Sequence, residues 1–289
     1  MIKKIEEFLN SPDIKGLAES TRQSYHHALV SNYYTFHTRD CSHPLERIQK
    51  KEVLGEFVEW LQRKGTSGTT IQQYLTIVKL FYKWCGIPVE YTYRIPRDER
   101  QGNAVKRMER WFDERDIEFC LHYKHGMRNE IIVRLLIETG IRVQELADIK
   151  SEDIIIQERT IWIQKSKTKP RPVFFSAYTY DRLMEYLKTA RRVDLFLVDS
   201  GARVLFPSAG QIKTIVRNIL EDLNLKTPKD GRGPHTFRHW CATYLFYVGD
   251  MRLQDIARLL GDTPDVIEKT YLHPTPAMLR SRIDKAMGW

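Results

Sequence analysis

The chain has 289 residues, of which 42% are hydrophobic and 29% are charged, and its formal net charge is +9 at pH 7. That balance is typical of a folded globular protein rather than of a disordered tail or a membrane protein. The length allows about two domains, at roughly 100–200 residues each. Because no run reaches the roughly 18–20 apolar residues of a membrane-spanning helix and the N-terminus lacks the apolar stretch of a signal peptide, we expect a cytoplasmic protein.

The basic residues are spread along the whole chain instead of forming a detachable tail. Such a charge favours a polyanionic partner, because neutralising phosphates releases their counterions, but charge alone leaves nucleic acids and other partners open. The cysteines are isolated from one another, with no C-x-x-C pair and no histidine cluster at metal-ligand spacing. We therefore predict reduced, mostly structural thiols at Cys41, Cys85, Cys120 and Cys241.

The first 88 residues predict a compact helical unit. A short helix near residues 3–9 precedes a segment at 18–37 in which apolar side chains recur every three or four residues, as on one face of a helix. Two further helices are predicted at 50–64 and 69–85, because the same spacing recurs there and a Gly-Thr-Ser-Gly break separates the two segments.

Residues 89–110 show little apolar periodicity and an excess of basic residues over acidic ones. We interpret them as a basic linker that either lies along a phosphate backbone or is simply solvated. From residue 111 onward the pattern is helical, except for three short strands that begin near residues 154, 160 and 172. The helices of this part are predicted at 114–123, 128–139, 177–191, 209–224, 235–248, 252–260, 264–271 and 276–287. The sequence therefore predicts a mainly α fold with a small antiparallel β-sheet, in two domains at 1–88 and 111–289.

Two motifs in the second domain carry basic side chains on helices. Arg142 follows a glycine that ends a strongly apolar helix, so it projects from a rigid support, although it could also simply pair with Glu145 three residues on. His235 and Arg238 lie one helical turn apart and therefore point the same way. Such a pair suits an anionic phosphate, because the arginine donates a bidentate fork and the histidine moves a proton. The alternative is a capping histidine beside a solvated arginine.

A run of basic residues at 165–171 connects two of the predicted strands. It is either a solvated hairpin tip or a tip that reaches into a groove and presents one lysine as a proton donor. Farther along, Tyr271 comes ten residues after Gly261. It is one of 14 tyrosines, so its position gains meaning only together with the other motifs.

In chain order, these motifs are Arg142, a hairpin lysine, His235-x-x-Arg238, and a Leu-Gly pair followed by Tyr271. This order and spacing resemble the tyrosine recombinase or phage-type integrase family, which includes the Xer-like site-specific recombinases. The resemblance covers nearly the whole chain. Residues 1–88 resemble the family's helical, SAM-like core-binding domain, and residues from 111 onward resemble its catalytic domain with a C-terminal helix.

The resemblance implies a site-specific recombinase or integrase that cleaves and rejoins DNA through a 3′-phosphotyrosyl intermediate, without metal, ATP or another cofactor. The two domains would clamp double-stranded DNA, and a homo-oligomer, as a tetrameric synapse, would bring two sites together. No small-molecule substrate is implied. Carried over position by position, the catalytic roles are Tyr271 as nucleophile, Arg142 and Arg238 as phosphate-binding residues, His235 in proton transfer, and Lys167 as proton donor to the leaving oxygen.

Within the basic run, Lys165 is the second choice for the proton donor, and Lys165, Lys169 and Arg171 are predicted DNA contacts. The last predicted helix either docks on its own domain or packs on a neighbouring protomer. Two other functions stay open. One is a DNA-binding protein of the same fold that has lost catalysis, and the other is a type IB topoisomerase-like enzyme that relaxes DNA without exchanging partners.

One position departs from the family's pattern. Where the family has His or Trp directly after the Leu-Gly pair, this chain has Asp262, and an ionised aspartate cannot donate a hydrogen bond and repels a phosphate. Asp262 either lies in the approach to a helix that starts at Thr263, is protonated, orients Arg238, or leaves the work to Lys269 or His273. We expect altered activity rather than none.

Overall fold

The computed structural model describes residues 1–41, 51–87, 89–97, 110–124, 126–164, 169–189, 196–197, 203–228 and 230–288. Contacts divide the chain into two compact units, Met1–Ala104 and Val105–Trp289. The division falls inside the stretch 89–110 that the sequence predicts as a linker. In these described ranges, no helix is both long and apolar enough to cross a membrane.

The first unit is built from helices, as predicted. They are α1 at Ile2–Leu9, α2 at Pro12–Lys15, α3 at Glu19–His26, α4 at Thr35–Arg39, α5 at Lys51–Arg63 and α6 at Gly68–Trp84. A π-helical segment, His27–Tyr34, joins α3 to α4, so the helix predicted at 18–37 is one continuous run. The apolar stripes of these helices meet in one core, where Leu29, Phe36 and Phe57 are fully buried.

Part of the predicted linker belongs to this first unit. Val89, Tyr91 and Tyr93 pack against its core, and Tyr93 accepts a hydrogen bond at its backbone oxygen from Gln72 Nε2 at 3.3 Å. Alternating aromatic residues bury enough apolar area to hold an extended segment in place.

The second unit is mainly helical with two small sheets. Its elements are α7 at Glu114–His122, α8 at Met127–Thr139, α9 at Val143–Ala147, β1 at Ile154–Ile155, β2 at Thr160–Ile163, β3 at Arg171–Phe174, α10 at Ala177–Thr189, β4 at Phe196–Leu197, β5 at Arg203–Val204, α11 at Ala209–Asp222, α12 at Pro234–Tyr247, α13 at Leu253–Leu260, α14 at Pro264–Val266 and α15 at Pro276–Met287. A π-helical turn, Ile267–Tyr271, continues α14.

The three predicted strands form one antiparallel sheet in the order β1-β2-β3. Its register pairs Ile161 with Val173 and Ile163 with Arg171. Side chains alternate between the two faces of a strand, so Arg171 points to the same buried face as Val173, while Phe174 points outward.

The prediction that only helices follow this sheet is wrong. Strands β4 and β5 form a second antiparallel pair, with Phe196 opposite Val204 and Leu197 opposite Arg203. Each strand has two residues, which is too short for the alternation that reveals a strand in a sequence.

Helix α8 lies in the core of this unit, and its end determines how the site is built. Gly140 follows it with φ +59, and a Cβ on this residue would lie 2.5 Å from Leu260 Cδ2 and 3.3 Å from Cys241 Sγ. The missing side chain therefore lets α12 and the end of α13 approach the end of α8. This close approach brings Arg142, Arg238 and residues 260–262 together.

Candidate active site

Helix α12 carries His235, Arg238 and His239 on the face that points to this meeting point. The helix begins at Pro234, directly after the N-cap residue Gly233, and this first position suits proline because the first backbone N–H has no partner within a helix. Arg238 is 1% exposed and His239 is 4% exposed. Such a deeply buried arginine needs anionic or carbonyl acceptors around it.

Those acceptors come from three separate segments. Arg238 Nη1 donates to the backbone oxygen of Gly140 at 2.7 Å, and Arg238 Nη2 donates to that of Leu260 at 2.8 Å. Nη2 also donates to Asp262 Oδ2 at 2.6 Å. The guanidinium thus joins the end of α8 to the end of α13.

Arg142 immediately precedes α9 and approaches the same carboxylate from the other side. Its Nη2 donates to Asp262 Oδ2 at 2.7 Å and to the backbone oxygen of Gly261 at 3.1 Å. Its Nη1 donates to Glu145 Oε1 at 3.0 Å. Both interpretations of the sequence therefore hold, because Arg142 pairs with Glu145 and also points into a site shared with Arg238.

Arg171 lies inside the protein, which differs from the predicted contact with DNA. It is 5% exposed because strand alternation turns it to the buried face of β3. Its Nη1 and Nη2 donate to Glu145 Oε1 and Oε2 at 3.1 and 2.7 Å, and its Nε donates to the backbone oxygen of Leu259 at 2.8 Å. The side chain supports Glu145, and through it Arg142.

Glu145 is an anion in this setting. Burial alone raises the pKa of its carboxyl, but the hydrogen bonds and charges of Arg171 and Arg142 outweigh burial and hold the pKa below its usual range. Gly261 allows the close packing, because it has φ +67 and a Cβ there would lie 2.7 Å from Arg171 Nη1.

Tyr271 lies in the same site. It ends the π-helical turn after α14, is 5% exposed, and its ring lies 5.0 Å from the guanidinium carbon of Arg238. The ring centre is 4.7 Å from that of His239 and 5.5 Å from that of His235. The structure therefore brings together Arg142, Arg238, His235 and Tyr271 of one chain.

A tether fixes the segment that carries Tyr271. Thr243 Oγ1 donates to the backbone oxygen of Tyr271 at 2.9 Å and accepts from the backbone N–H of His273 at 3.1 Å. The ring of His273 stacks on that of Trp111, with centres 4.1 Å apart and planes 7° apart. Sequence reasoning missed Thr243 and Trp111, because only the fold brings them near Tyr271.

Both histidines beside Tyr271 are held in the neutral form. Burial lowers the pKa of His239 to about 2, with help from the neighbouring histidines and arginines. Partial desolvation and the charges of Arg238 and Arg110 lower the pKa of His235. Sequence reasoning assigned no role to His239, although it lies four residues after His235 and therefore on the same helix face.

Of the remaining predicted residues, Lys169 is the one that the structure describes. Lys165 and Lys167 fall outside the described residues, so their predicted roles stay predictions. Lys169 is exposed and lines a cavity of about 660 Å³ together with Arg258 and Asp262. Across the described part of the chain, no group of three or more His, Cys, Asp or Glu side chains is placed to hold a metal ion.

The residues around Asp262 follow the sequence prediction of a helix start. Thr263 precedes α14 and its Oγ1 accepts from the backbone N–H of Val266 at 3.3 Å. Lys269 pairs with Asp265 at 3.4 Å, and His273 Nε2 contacts the backbone oxygen of Thr270 at 2.9 Å. Asp262 itself contacts both arginines.

Comparisons with known proteins show the family and the fold of this chain. Residues 110–278, more than half of the chain, match the phage integrase family, and residues 2–86 match the N-terminal SAM-like domain of phage integrases. These matches, with a tyrosine beside two arginines and a histidine, define a tyrosine site-specific recombinase. The chain belongs to the phage integrase family.

Among curated proteins, the chain is 28% identical over 284 residues to tyrosine recombinase XerC of Anoxybacillus flavithermus, covering 92% of this chain and 91% of that protein. It is 27% identical over 292 residues to tyrosine recombinase XerA of Saccharolobus solfataricus, covering 97% and 91%. Both relatives are matched over almost their full length.

Solved structures share the fold at lower identity. The XerH site-specific recombinase bound to its difH substrate has a TM-score of 0.67 at 18% identity, covering 97% of this chain and 82% of that one. The Tn1549 transposon integrase in complex with transposon right end DNA has a TM-score of 0.65 at 17% identity, covering 99% and 98%. The prediction of a mainly α fold with a small antiparallel sheet is confirmed.

Proposed function

We propose that this protein cleaves and rejoins double-stranded DNA at specific sites through a 3′-phosphotyrosyl link to Tyr271, without metal or ATP. The observation that carries the proposal is the convergence of Arg142 and Arg238 on one anionic oxygen beside the Tyr271 ring. Two guanidinium groups that share one anion form a ready binding site for a phosphate.

The proposed reaction is a transesterification. The Tyr271 oxygen attacks the phosphorus, its proton passes to neutral His235, and the bond from phosphorus to the 5′ oxygen breaks. The two arginines stabilise the charge that develops on the non-bridging oxygens, a role in which fixed donors are worth several kcal/mol. Lys167, by family resemblance, gives the departing oxygen its proton. A hydroxyl from a second strand reverses the step, so the bond energy is kept.

Neutral histidines favour this direction of proton transfer. An imidazole that is already protonated cannot accept the phenol proton, and the lowered pKa values of His235 and His239 keep both rings neutral near pH 7. Both rings face the nucleophile from α12, but His239, with a pKa of about 2, is too weak a base to take the phenol proton, which leaves His235 as the acceptor.

The proposed partner is double-stranded DNA, bound by both units. The net charge of +9 supports a polyanion partner, and the XerH and Tn1549 proteins named above are DNA-bound. We further propose a homo-oligomer, up to a tetrameric synapse, acting in the cytoplasm. Helix α15 supports assembly, because it docks on its own unit through buried Met278 while Leu279, Ile283 and Met287 are 43–60% exposed.

The test is a covalent-capture assay on nicked duplexes that are first selected from a random pool by binding to the Tyr271→Phe protein. We expect a protein–DNA adduct on a denaturing gel with the wild type and none with Tyr271→Phe. Tyr244→Phe, which changes an exposed tyrosine of the same helix that carries Arg238, should leave the adduct intact. An adduct that survives in Tyr271→Phe would assign the attack to another residue.

A second candidate function is DNA binding without cleavage, and Asp262 favours it. Its carboxylate occupies both arginines, where a phosphate would have to bind. If the wild type binds the selected duplex tightly but forms no adduct, the protein binds DNA without cleaving it. Adducts with relaxation of supercoiled DNA, but without exchange between two sites, would instead indicate a topoisomerase-like enzyme.

A further inference from the structure

Asp262 presents one oxygen to both arginines of the site. Each Nη2 atom has two hydrogens, and in both residues one of them goes to a backbone oxygen, of Gly261 for Arg142 and of Leu260 for Arg238. The other hydrogen in each case points to Asp262 Oδ2, at 2.7 and 2.6 Å. The carboxylate oxygen thus occupies the position in which a phosphate oxygen would accept one hydrogen bond from each guanidinium group.

From this geometry, and resting on the proposed function, we infer that Asp262 is a specificity-determining residue that competes with the DNA phosphate for Arg142 and Arg238. It occupies both arginines in the DNA-free protein and leaves them when a phosphate is bound. Contacts between the protein and other parts of the DNA must supply the free energy of this displacement. In a weakly bound sequence, the phosphate therefore does not bind the two arginines.

A phosphate can reach Arg238 only by displacing the Asp262 carboxylate, because the rest of the Arg238 side chain is buried. Its side chain is 1% exposed, whereas that of Asp262 is 16% exposed. The backbone oxygens of Gly140 and Leu260 belong to the framework and cannot move away without unfolding helix ends. The carboxylate is therefore the one removable acceptor among the described contacts of Arg238. A phosphate and a carboxylate cannot share these donors, since two anions in contact repel each other.

The Asp262 carboxylate can move away from the arginines into a neighbouring cavity. The backbone of Asp262 is fixed, because the N–H groups of Gly261 and Asp262 both donate to the backbone oxygen of Ala257, at 2.9 and 3.0 Å. Asp262 also lines the cavity of about 660 Å³, together with Lys169 and Arg258. Rotation of the side chain alone moves the charge from one pair of cations toward another, which lowers the cost of the exchange.

The test compares Asp262→Asn with Asp265→Asn. Both variants lose one negative charge from the same segment, but Asp265 is exposed and pairs only with Lys269 in the described structure. We expect Asp262→Asn to lower the dissociation constant of the selected duplex roughly tenfold relative to Asp265→Asn, because a neutral amide competes less well for a charged donor.

A scrambled duplex adds a readout of specificity. Adduct formation on it should rise with Asp262→Asn, because the phosphate no longer displaces an anion. Asp262→Ala should give the same two shifts, and thermal unfolding of each variant establishes that it is folded. Weaker DNA binding in both Asp262 variants, or a slower adduct rate at saturating DNA, would show that the carboxylate holds the arginines in position instead.

Binding constants equal to those of Asp265→Asn would also overturn the inference. The dissociation constant is measured without cleavage, so the competition is tested even where no protein forms an adduct. Binding without adduct in every variant contradicts the proposed chemistry alone. Adducts without a change in affinity contradict the competition alone.

Discussion

At the scale of single residues, the site depends on charges that the protein compensates internally. Glu145 and Arg171 form a pair whose side chains are 4% and 6% exposed, joined at 2.7 Å. Glu145 also receives the backbone N–H and the guanidinium of Arg142. A buried ion pair adds little net stability over an apolar pair, but removing one partner leaves an uncompensated charge in the interior.

We therefore expect Glu145→Gln to lower the free energy of unfolding by about 3–5 kcal/mol, because it removes the carboxylate to which both Nη atoms of buried Arg171 donate. Urea denaturation of the full chain measures the loss. The matched control is Glu152→Gln, since Glu152 is 73% exposed and pairs with Lys150 at 3.3 Å. That change should cost less than about 0.5 kcal/mol. Equal losses in the two variants would contradict the role given to the buried pair.

Residue spacing in the sequence predicts part of this site but not its contacts. Arg142, His235 and Arg238 could be selected because their order along the chain, together with Tyr271, resembles that of the phage-type integrase family, whereas helix spacing alone left structural roles open. The hydrogen bond from Arg238 to Gly140 joins residues 98 positions apart. The periodicity of apolar residues along the sequence cannot predict such a long-range contact. The inward direction of Arg171 follows from strand alternation, but only once β3 is known to begin at that residue.

At the scale of elements, two helix ends and one π-helical turn position the reactive groups. The long helices were predicted to within a few residues because their apolar stripes extend over several turns. The turn Ile267–Tyr271 was predicted as plain helix, since a π turn has no distinct pattern in sequence. Its end is held by Thr243 of α12, which bonds to both Tyr271 and His273.

This tether predicts a positioning role for Thr243. Thr243→Val removes the hydroxyl while keeping the shape of the side chain, so Tyr271 should lose its fixed position relative to the arginines. We expect the adduct rate at saturating DNA to fall about 10- to 100-fold, as small misplacements of reacting groups do. The dissociation constant of the DNA should stay the same, because no phosphate-binding residue changes.

The conservative variant Thr243→Ser provides the control. It restores the hydroxyl that donates to the Tyr271 carbonyl, and so it should recover most of the adduct rate. If Thr243→Val keeps the adduct rate while Thr243→Ser loses it, packing of the Thr243 methyl group matters and the hydrogen bonds do not.

At the scale of the whole molecule, each unit has its own apolar core, and each holds a histidine with a lowered pKa, half-buried His37 in the first unit and buried His239 in the second. In the first unit, burial lowers the pKa of His37 to about 4. In the second, burial lowers that of His239 to about 2. An unfolded chain exposes these rings to water, where an imidazole has a pKa of about 6.5. Below that pH these two histidines take up protons in the unfolded chain but stay neutral in the folded one.

The sign of the pH dependence follows from this difference. Because the unfolded state binds more protons, the free energy of unfolding is highest above about pH 6.5 and falls as the pH drops below it. The lowered pKa of Glu145 acts in the same direction but only below about pH 4.5, the ordinary range of a glutamate. The range from pH 5 to 6.5 therefore isolates the histidines.

We expect His239→Gln to make the second unit less sensitive to acid in that range. Removing one histidine that stays neutral when folded should reduce the slope by up to about 1.4 kcal/mol per pH unit. Denaturant titrations at pH 8 serve as the control, because both chains carry a neutral side chain there and the difference gives the packing cost alone. A slope that does not change on substitution would mean that His239 takes up a proton in the folded protein, and then the neutral state argued for the histidines beside Tyr271 would be wrong as well.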